Sequence, residues 1–118
     1  MDRSLEDNMP IYMQIMNWIR DAIASGELAA GDKVPSVREF ASEFEVNPNT
    51  MQKAFAELER SGLILTQRTA GRTVTEDKDM IASIKLNLAK EQMETFLTQM
   101  KKLGFTREEI VSLIQKLQ

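Results

Sequence analysis

Hydrogen-bonding side chains recur at helical spacing in the middle of this sequence. In chain order this face carries Asn49, Gln52, Lys53, Ala56 and Arg60. Residues 46–56 include no aspartate or glutamate, although the whole chain has 18 acidic and 15 basic residues. Amide side chains can make paired hydrogen bonds to adenine, lysine can reach guanine or phosphate, and a small alanine permits close approach. The pattern favours a helix that lies in a DNA groove; an ordinary solvated helix face is the alternative.

The helix that carries these side chains has clear limits in the sequence. Asn47 is a favourable N-cap, and Pro48 stands at the first helical position, where its missing N–H does no harm. Gly62 is placed to end the helix in a left-handed turn. The inward, apolar stripe consists of Met51, Ala54, Phe55 and Leu58.

A shorter helix is predicted just before this one. Ser36 and Glu39 have the spacing of a capping box, and Pro35 disfavours helix at the residue that precedes it. Its apolar face consists of Val37, Phe40, Ala41 and Phe44. Arg38 points away from that face, which by itself indicates only a solvated arginine. Two short helices joined by a tight turn predict a helix-turn-helix.

A β-hairpin is predicted directly after the second helix. An apolar run over residues 63–68 is followed by a loop over residues 69–72 and a β-branched run over residues 73–75. The hairpin contains Arg68 and Arg72 and no acid from residue 66 to residue 75. A helix-turn-helix followed by a basic hairpin is the pattern of a winged helix, whose wing lies against phosphates or in the minor groove. A hairpin tip that serves only solubility is the alternative.

These motifs, in this order, resemble the GntR-type bacterial transcription regulators. The matching segments are residues 10–15, 26–28, 31–39 and 46–50, with Ala54, residues 58–64 and the wing glycine Gly71. The resemblance covers about residues 10–75 and strings many turn and capping residues in order, which makes it specific. Thr69 replaces a glycine that is usual in the family's wing, and Thr73 stands where an aromatic residue is common.

The resemblance implies double-stranded DNA as the partner and a winged helix as the fold. The residues at the family's DNA-contacting positions are Ser36, Arg38, Asn47, Asn49, Thr50, Gln52, Lys53, Gly71 and Arg72. The first two lie on the first helix of the pair, the next five on or at the start of the second helix, and the last two on the wing. The chain is therefore expected to be a sequence-specific regulator, and more specifically a repressor.

The last third of the sequence predicts two further helices. A polar joint at residues 76–79 leads into a long helix that runs to about Leu103, and Thr106 with Glu109 then forms a capping box for a final helix. A heptad seam runs along the long helix through Leu86, Ala89, Met93, Phe96, Met100 and Leu103, and a second stripe consists of Ile81, Ile84, Leu88 and Leu97. Two helices cannot bury this much apolar surface alone, so a partner chain is expected to cover it. Packing of the tail against the winged helix is the alternative.

Within the family, a tail this short resembles the YtrA-type regulators, in which a pair of helices dimerises. The fold is expected to be mainly α with a small β-hairpin wing, comprising a DNA-binding domain over residues 1–78 and a dimerisation tail over residues 79–118. A homodimer would bind an inverted-repeat operator. The resemblance further implies control of transporter genes. A small-molecule effector could bind between the tail and the winged helix, although no polar cluster marks such a site.

Composition narrows the remaining function classes. The chain of 118 residues has no cysteine and no histidine, so it has neither a thiol nor an imidazole catalyst, and no cofactor is expected. The polar N-terminus and the short apolar runs predict a cytoplasmic protein. The net charge of −3 and the pI near 5.0 argue against DNA binding, but the charges are segregated along the chain. The alternative function is a winged-helix module that binds protein, which should expose aromatic or methionine side chains on the face of Asn49 and Gln52.

Overall fold

The computed structural model describes residues 9–69 and 71–117. These residues form five α-helices and a two-stranded antiparallel sheet. In chain order the elements are α1 (Ile11–Ser25), α2 (Val37–Phe44), α3 (Pro48–Arg60), β1 (Ile64–Gln67), β2 (Gly71–Val74), α4 (Lys78–Lys102) and α5 (Arg107–Lys116). The predicted mainly helical fold with a hairpin wing is confirmed. Ala70, which belongs to the predicted hairpin loop, lies outside the described residues.

Local capping explains where the short helices begin. At the start of α2 the Ser36 hydroxyl accepts a hydrogen bond from the Glu39 N–H at 3.1 Å, and a Glu39 carboxylate oxygen accepts one from the Ser36 N–H at 3.3 Å. The same reciprocal pair, made by Thr106 and Glu109, begins α5. Both predicted capping boxes are confirmed, and each satisfies two backbone donors that a helix start leaves without partners.

The core of the winged helix forms where α1, α2 and α3 meet. Its fully buried members include Ile15, Ile19, Met51, Ala54, Phe55, Leu58, Leu63 and Ile64. Trp18 packs edge-on against Phe40 and Phe44, with ring centroids 5.8 and 5.1 Å apart, and Phe40 packs against Phe55 at 5.7 Å. Edge-to-face packing of this kind stabilises aromatic clusters beyond the burial of their area. Trp18 is itself partly buried and packs against this core.

The wing is more regular than the sequence predicted. Gln67 pairs with Gly71, so β2 already begins at Gly71, and the predicted loop over residues 69–72 is wrong by two residues. The segment before α2 also joins β2, because Lys33 forms an antiparallel bridge with Thr73 and the Val34 N–H donates to the Arg72 carbonyl at 2.8 Å. This pairing was not predicted. It fixes the wing to the residues that lead into α2.

The chain divides into two compact units, Met1–Lys85 and Leu86–Gln118. The first unit includes the beginning of α4, since Met80, Ile81 and Ile84 pack against the winged-helix core. The domain boundary expected from the sequence lies between residues 78 and 79, which is seven residues before the division between the two compact units.

The second unit contains the rest of α4 together with α5. Among the described residues of this unit, Ile110 of α5 is the one apolar residue that is fully buried. Most of the predicted seam is exposed: Leu86, Met93, Phe96 and Leu103 are exposed, and Met100 is half-buried. Within the described residues, no helix is both long and apolar enough to cross a membrane.

Candidate nucleic-acid interface

Helix α3 separates its apolar and polar side chains onto opposite faces. Met51, Ala54, Phe55 and Leu58 are fully buried, as predicted. The opposite face is exposed and carries Asn49, Gln52, Lys53, Ala56 and Arg60, while Thr50 is half-buried at its edge. Among the described residues of α3, the exposed face carries no aromatic or methionine side chain, and it is therefore suited to hydrogen bonding rather than to apolar contact.

The turn between α2 and α3 holds a strained residue. Glu45 adopts the left-handed conformation, with φ 58° and ψ 46°, and its N–H donates to the carbonyls of Ala41 and Ser42. Among the described residues Glu45 is the one non-glycine with a positive φ. Two residues later, Asn47 Oδ1 accepts a hydrogen bond from the Asn49 N–H at 2.7 Å and begins α3. Capping uses one lone pair of this oxygen, and the amide N–H groups of Asn47 remain able to donate.

The first turn of α2 presents two further predicted residues. Ser36 and Arg38 are both exposed. The Ser36 oxygen accepts the capping hydrogen bond, but its hydroxyl hydrogen remains able to donate to a phosphate oxygen. Within the described part of the chain, Arg38 forms no ion pair. A guanidinium and a hydroxyl donor at the same end of one helix are suited to phosphate.

Lys53 is held over an aromatic ring of the first helix. Its Nζ lies 4.1 Å from the ring centroid of Tyr12 in α1, which is a cation–π contact. Tyr12 is itself half-buried against the core. The contact connects the exposed face of α3 to α1 and limits the freedom of a long side chain that DNA binding would otherwise have to order.

The two wing residues predicted from the sequence differ in their surroundings. Gly71 is exposed and has φ 74°, a conformation that other residues rarely adopt. The Arg72 guanidinium forms an ion pair with Glu59 of α3 and lies 5.2 Å from the ring centroid of Phe55. Arg72 is thus half-buried against α3. Arg68, at the turn, is exposed and forms no ion pair with any described residue.

Both acidic residues of α3 are paired with arginines. Glu57 forms an ion pair with Arg60, and this contact raises the pKa of the Arg60 guanidinium. Glu59 pairs with Arg72. The spacing of three residues could have indicated the first pair, whereas no sequence signal joins Glu59 to a residue 13 positions away. Because these acids are neutralised locally, the negative net charge of the chain does not describe the charge of this face.

The described residues contain no group of three or more acidic side chains that could hold a metal ion. The arrangement combines the exposed polar face of α3, an exposed hydroxyl and guanidinium at the start of α2 and a basic hairpin. These are the parts of a winged helix-turn-helix that binds DNA.

Comparison with known proteins agrees with this geometry. The family model described as "Bacterial regulatory proteins, gntR family" matches residues 11–74. The chain belongs to the GntR family. Among its relatives in Bacillus subtilis, the uncharacterized HTH-type transcriptional regulator YhcF is 41% identical over 111 residues, which are 94% of this chain and 92% of YhcF. The HTH-type transcriptional repressor YtrA is 36% identical over 109 residues, which are 92% of this chain and 84% of YtrA.

Solved structures of GntR-family proteins share the fold. A GntR family transcriptional regulator from Listeria monocytogenes is 43% identical with a TM-score of 0.86, and the match covers 97% of this chain and all of that one. The DNA-binding domain of AraR, solved in complex with operator ORR3, is 28% identical with a TM-score of 0.55 and covers 61% of this chain and 87% of that one. The protein is therefore a DNA-binding transcription regulator of the GntR family, and its role is non-enzymatic.

Proposed function

We propose that the protein is a repressor that binds an inverted-repeat operator as a homodimer, with α3 in the major groove of each half-site. The exposed, acid-free face of α3 carries this proposal. The naming of the relative YtrA as a repressor supports the direction of regulation. Control of transporter genes is the part of the proposal that rests on the resemblance to YtrA-type regulators alone.

Two groups of side chains are assigned different tasks on the DNA. Asn49 and Gln52 lie where amides can form paired hydrogen bonds with adenine, so they read bases. The exposed Ser36 and Arg38 at the start of α2 contact phosphates and fix the register of the helix. The remaining proposed contacts are made by Asn47, Thr50, Lys53 and Gly71.

The tail is proposed to join two copies of the chain. Its seam and one face of α5 are exposed, and an exposed apolar surface of this extent is unusual in a monomer. A single winged helix contacts one half-site and binds weakly, whereas a dimer makes the second contact intramolecular and gains roughly 10²–10⁴ in apparent affinity. A two-fold dimer also requires the inverted repeat.

Base reading is tested by replacing Gln52 with alanine. Selection from a random duplex pool first defines the preferred operator, and Gln52→Ala is then expected to cost about 1–3 kcal/mol on that operator and little on random DNA. Gln92→Ala is the matched control, because Gln92 is an exposed glutamine on α4. Equal losses on operator and random duplex would show that Gln52 does not read bases, and operator binding unchanged by Gln52→Ala would remove α3 from the groove.

The role of the tail is tested by truncation. Cutting the chain after Lys85 retains Met80, Ile81 and Ile84, which pack on the winged-helix core. We expect a folded monomer that has lost most operator affinity but binds single half-sites as well as the full-length chain does. A truncated chain that binds the whole operator as tightly as the full-length protein would overturn the dimer proposal.

A further inference from the structure

Arg72 occupies a position that differs from that of an arginine available to DNA. Its Nε faces a carboxylate oxygen of Glu59, and its guanidinium carbon lies 5.2 Å from the ring centroid of Phe55. Phe55 and Glu59 are one turn apart on α3, so the guanidinium lies along the side of the helix. The side chain of Arg72 is 26% exposed and that of Glu59 is 30% exposed, so both charges are partly buried.

The backbone of Arg72 is also engaged. Its carbonyl accepts a hydrogen bond from the Val34 N–H at 2.8 Å, in the segment that leads into α2. The neighbouring Thr73 forms the bridge with Lys33. Position 72 therefore joins three parts of the DNA-binding unit: β2, the side of α3 and the approach to α2.

A two-stranded hairpin has little stability of its own and needs contacts that hold it in place. The base of the wing has such contacts, because Ile64 and Val74 are buried in the core and Lys33 bridges Thr73, but its outer part has few. Leu65, Thr66, Gln67, Arg68 and Thr69 are all exposed, so apolar burial does not fix this part of the hairpin against α3. The ion pair of Arg72 and Glu59 is the connection between side chains of the hairpin and of α3 that the described residues show.

We propose that Arg72 is a positioning residue, which holds the wing against α3 through Glu59 and Phe55, and that Arg68 supplies the wing's contact to DNA phosphate. This inference rests on the proposed binding of operator DNA through α3 and the wing. It reassigns the DNA contact that the resemblance implied for Arg72. Glu59, to which the resemblance assigned no DNA contact, becomes a residue on which DNA binding depends.

The two roles of Arg72 make opposite predictions for Glu59. If Arg72 contacted phosphate, Glu59→Gln would release a cation and remove a negative charge near DNA, so binding would tighten. If Arg72 positions the wing, Glu59→Gln loosens it and binding weakens. We expect Glu59→Gln and Arg72→Gln each to weaken operator binding about fivefold, the loss expected for an ion pair worth about 1 kcal/mol.

The double variant separates a shared role from two independent ones. When two residues act only through each other, removing both costs no more than removing one. We expect the variant with both Glu59→Gln and Arg72→Gln to bind about as well as either single variant. Losses that multiply, or tighter binding by Glu59→Gln, would overturn the proposal.

The dependence of affinity on salt identifies the arginine that contacts phosphate. Arg68→Gln is expected to reduce the slope of log K against log salt by about one unit, the change for one lost phosphate contact. Arg72→Gln is expected to leave the slope unchanged. The reverse result would assign the contact to Arg72.

Amide hydrogen exchange of the full-length chain without DNA tests the positioning role directly. The backbone amides of β1 and β2 should exchange faster in Glu59→Gln and in Arg72→Gln, but not in Arg68→Gln, which is the matched control. Unchanged exchange in the first two variants would overturn the positioning role. Because this measurement needs no DNA, it remains decisive even if the wild-type protein fails to bind the selected operator, a result that would instead refute the proposed function.

Discussion

Replacing Met93 and Phe96 with aspartate gives the strongest test of the tail seam. Within one chain, Met93 is 59% exposed and Phe96 is 40% exposed, so their exposed fractions add up to about one whole apolar side chain. A two-fold dimer that covers the seam would bury this amount on each protomer. Neither residue is part of the winged-helix core.

The expected loss follows from this exposure. Burying one such side chain is worth about 2 kcal/mol, and two protomers make this about 4 kcal/mol. At about 1.4 kcal/mol per tenfold change, the double substitution should raise the dimer dissociation constant about 1000-fold. This is a lower bound, because each new carboxylate would also have to be desolvated in the interface.

Sedimentation equilibrium across the micromolar range measures the effect. The control is Thr95→Asp with Thr98→Asp, since these residues have the same spacing, are exposed and add the same charge on the opposite side of α4. We expect the control to remain dimeric while the Met93 and Phe96 variant becomes monomeric, with thermal unfolding of the winged helix unchanged. A wild-type protein that is monomeric throughout, or a seam variant that keeps the dimer mass, would refute the reasoning.

Three stability predictions follow from individual residues. Glu45→Gly should stabilise the winged helix by about 0.5–1 kcal/mol in urea unfolding, because it relieves a left-handed residue at a smaller cost in chain entropy; destabilisation would contradict this. Burial raises the pKa of Asp21, so Asp21→Asn should be more stable than wild type at neutral pH, and this difference should shrink as the pH falls through that raised pKa. Hydrogen bonds from Thr106 lower the pKa of Glu109, so Glu109→Ala should destabilise the tail at neutral pH. That difference should disappear as the pH falls through the lowered pKa, and a gap that persists in acid would exclude the carboxylate as its cause.

The parts of the fold that depend on neighbours in sequence were predictable. Ser36 with Glu39, and Asn47 with Pro48, fix the starts of α2 and α3 through contacts between residues at most three positions apart. The inward and outward faces of α3 were assigned correctly for a similar reason. Once the start of a helix is known, its regular repeat determines on which face each residue lies.

The parts that were missed depend on distant residues. Lys33 bridges Thr73, and Glu59 pairs with Arg72, in each case because the fold brings two segments together. Neither segment carries a pattern that indicates its partner. Gly71 was assigned to a loop because glycine has a low preference for strands, yet its pairing with Gln67 places it in β2. The surroundings of Arg72, and hence its assigned task, could be derived only from the structure.

The bridge between Lys33 and Thr73 has a consequence for how the protein forms during synthesis. It joins residues about 40 positions apart, and closing a loop of that length costs far more entropy than forming a helical turn. Helices α2 and α3 lie inside this loop, so each can form early, whereas their placement relative to the wing requires β2. A nascent chain that has emerged only as far as α3 therefore already contains the side chains proposed to read bases, but the ribosome must add β2 before the wing can take its place beside them.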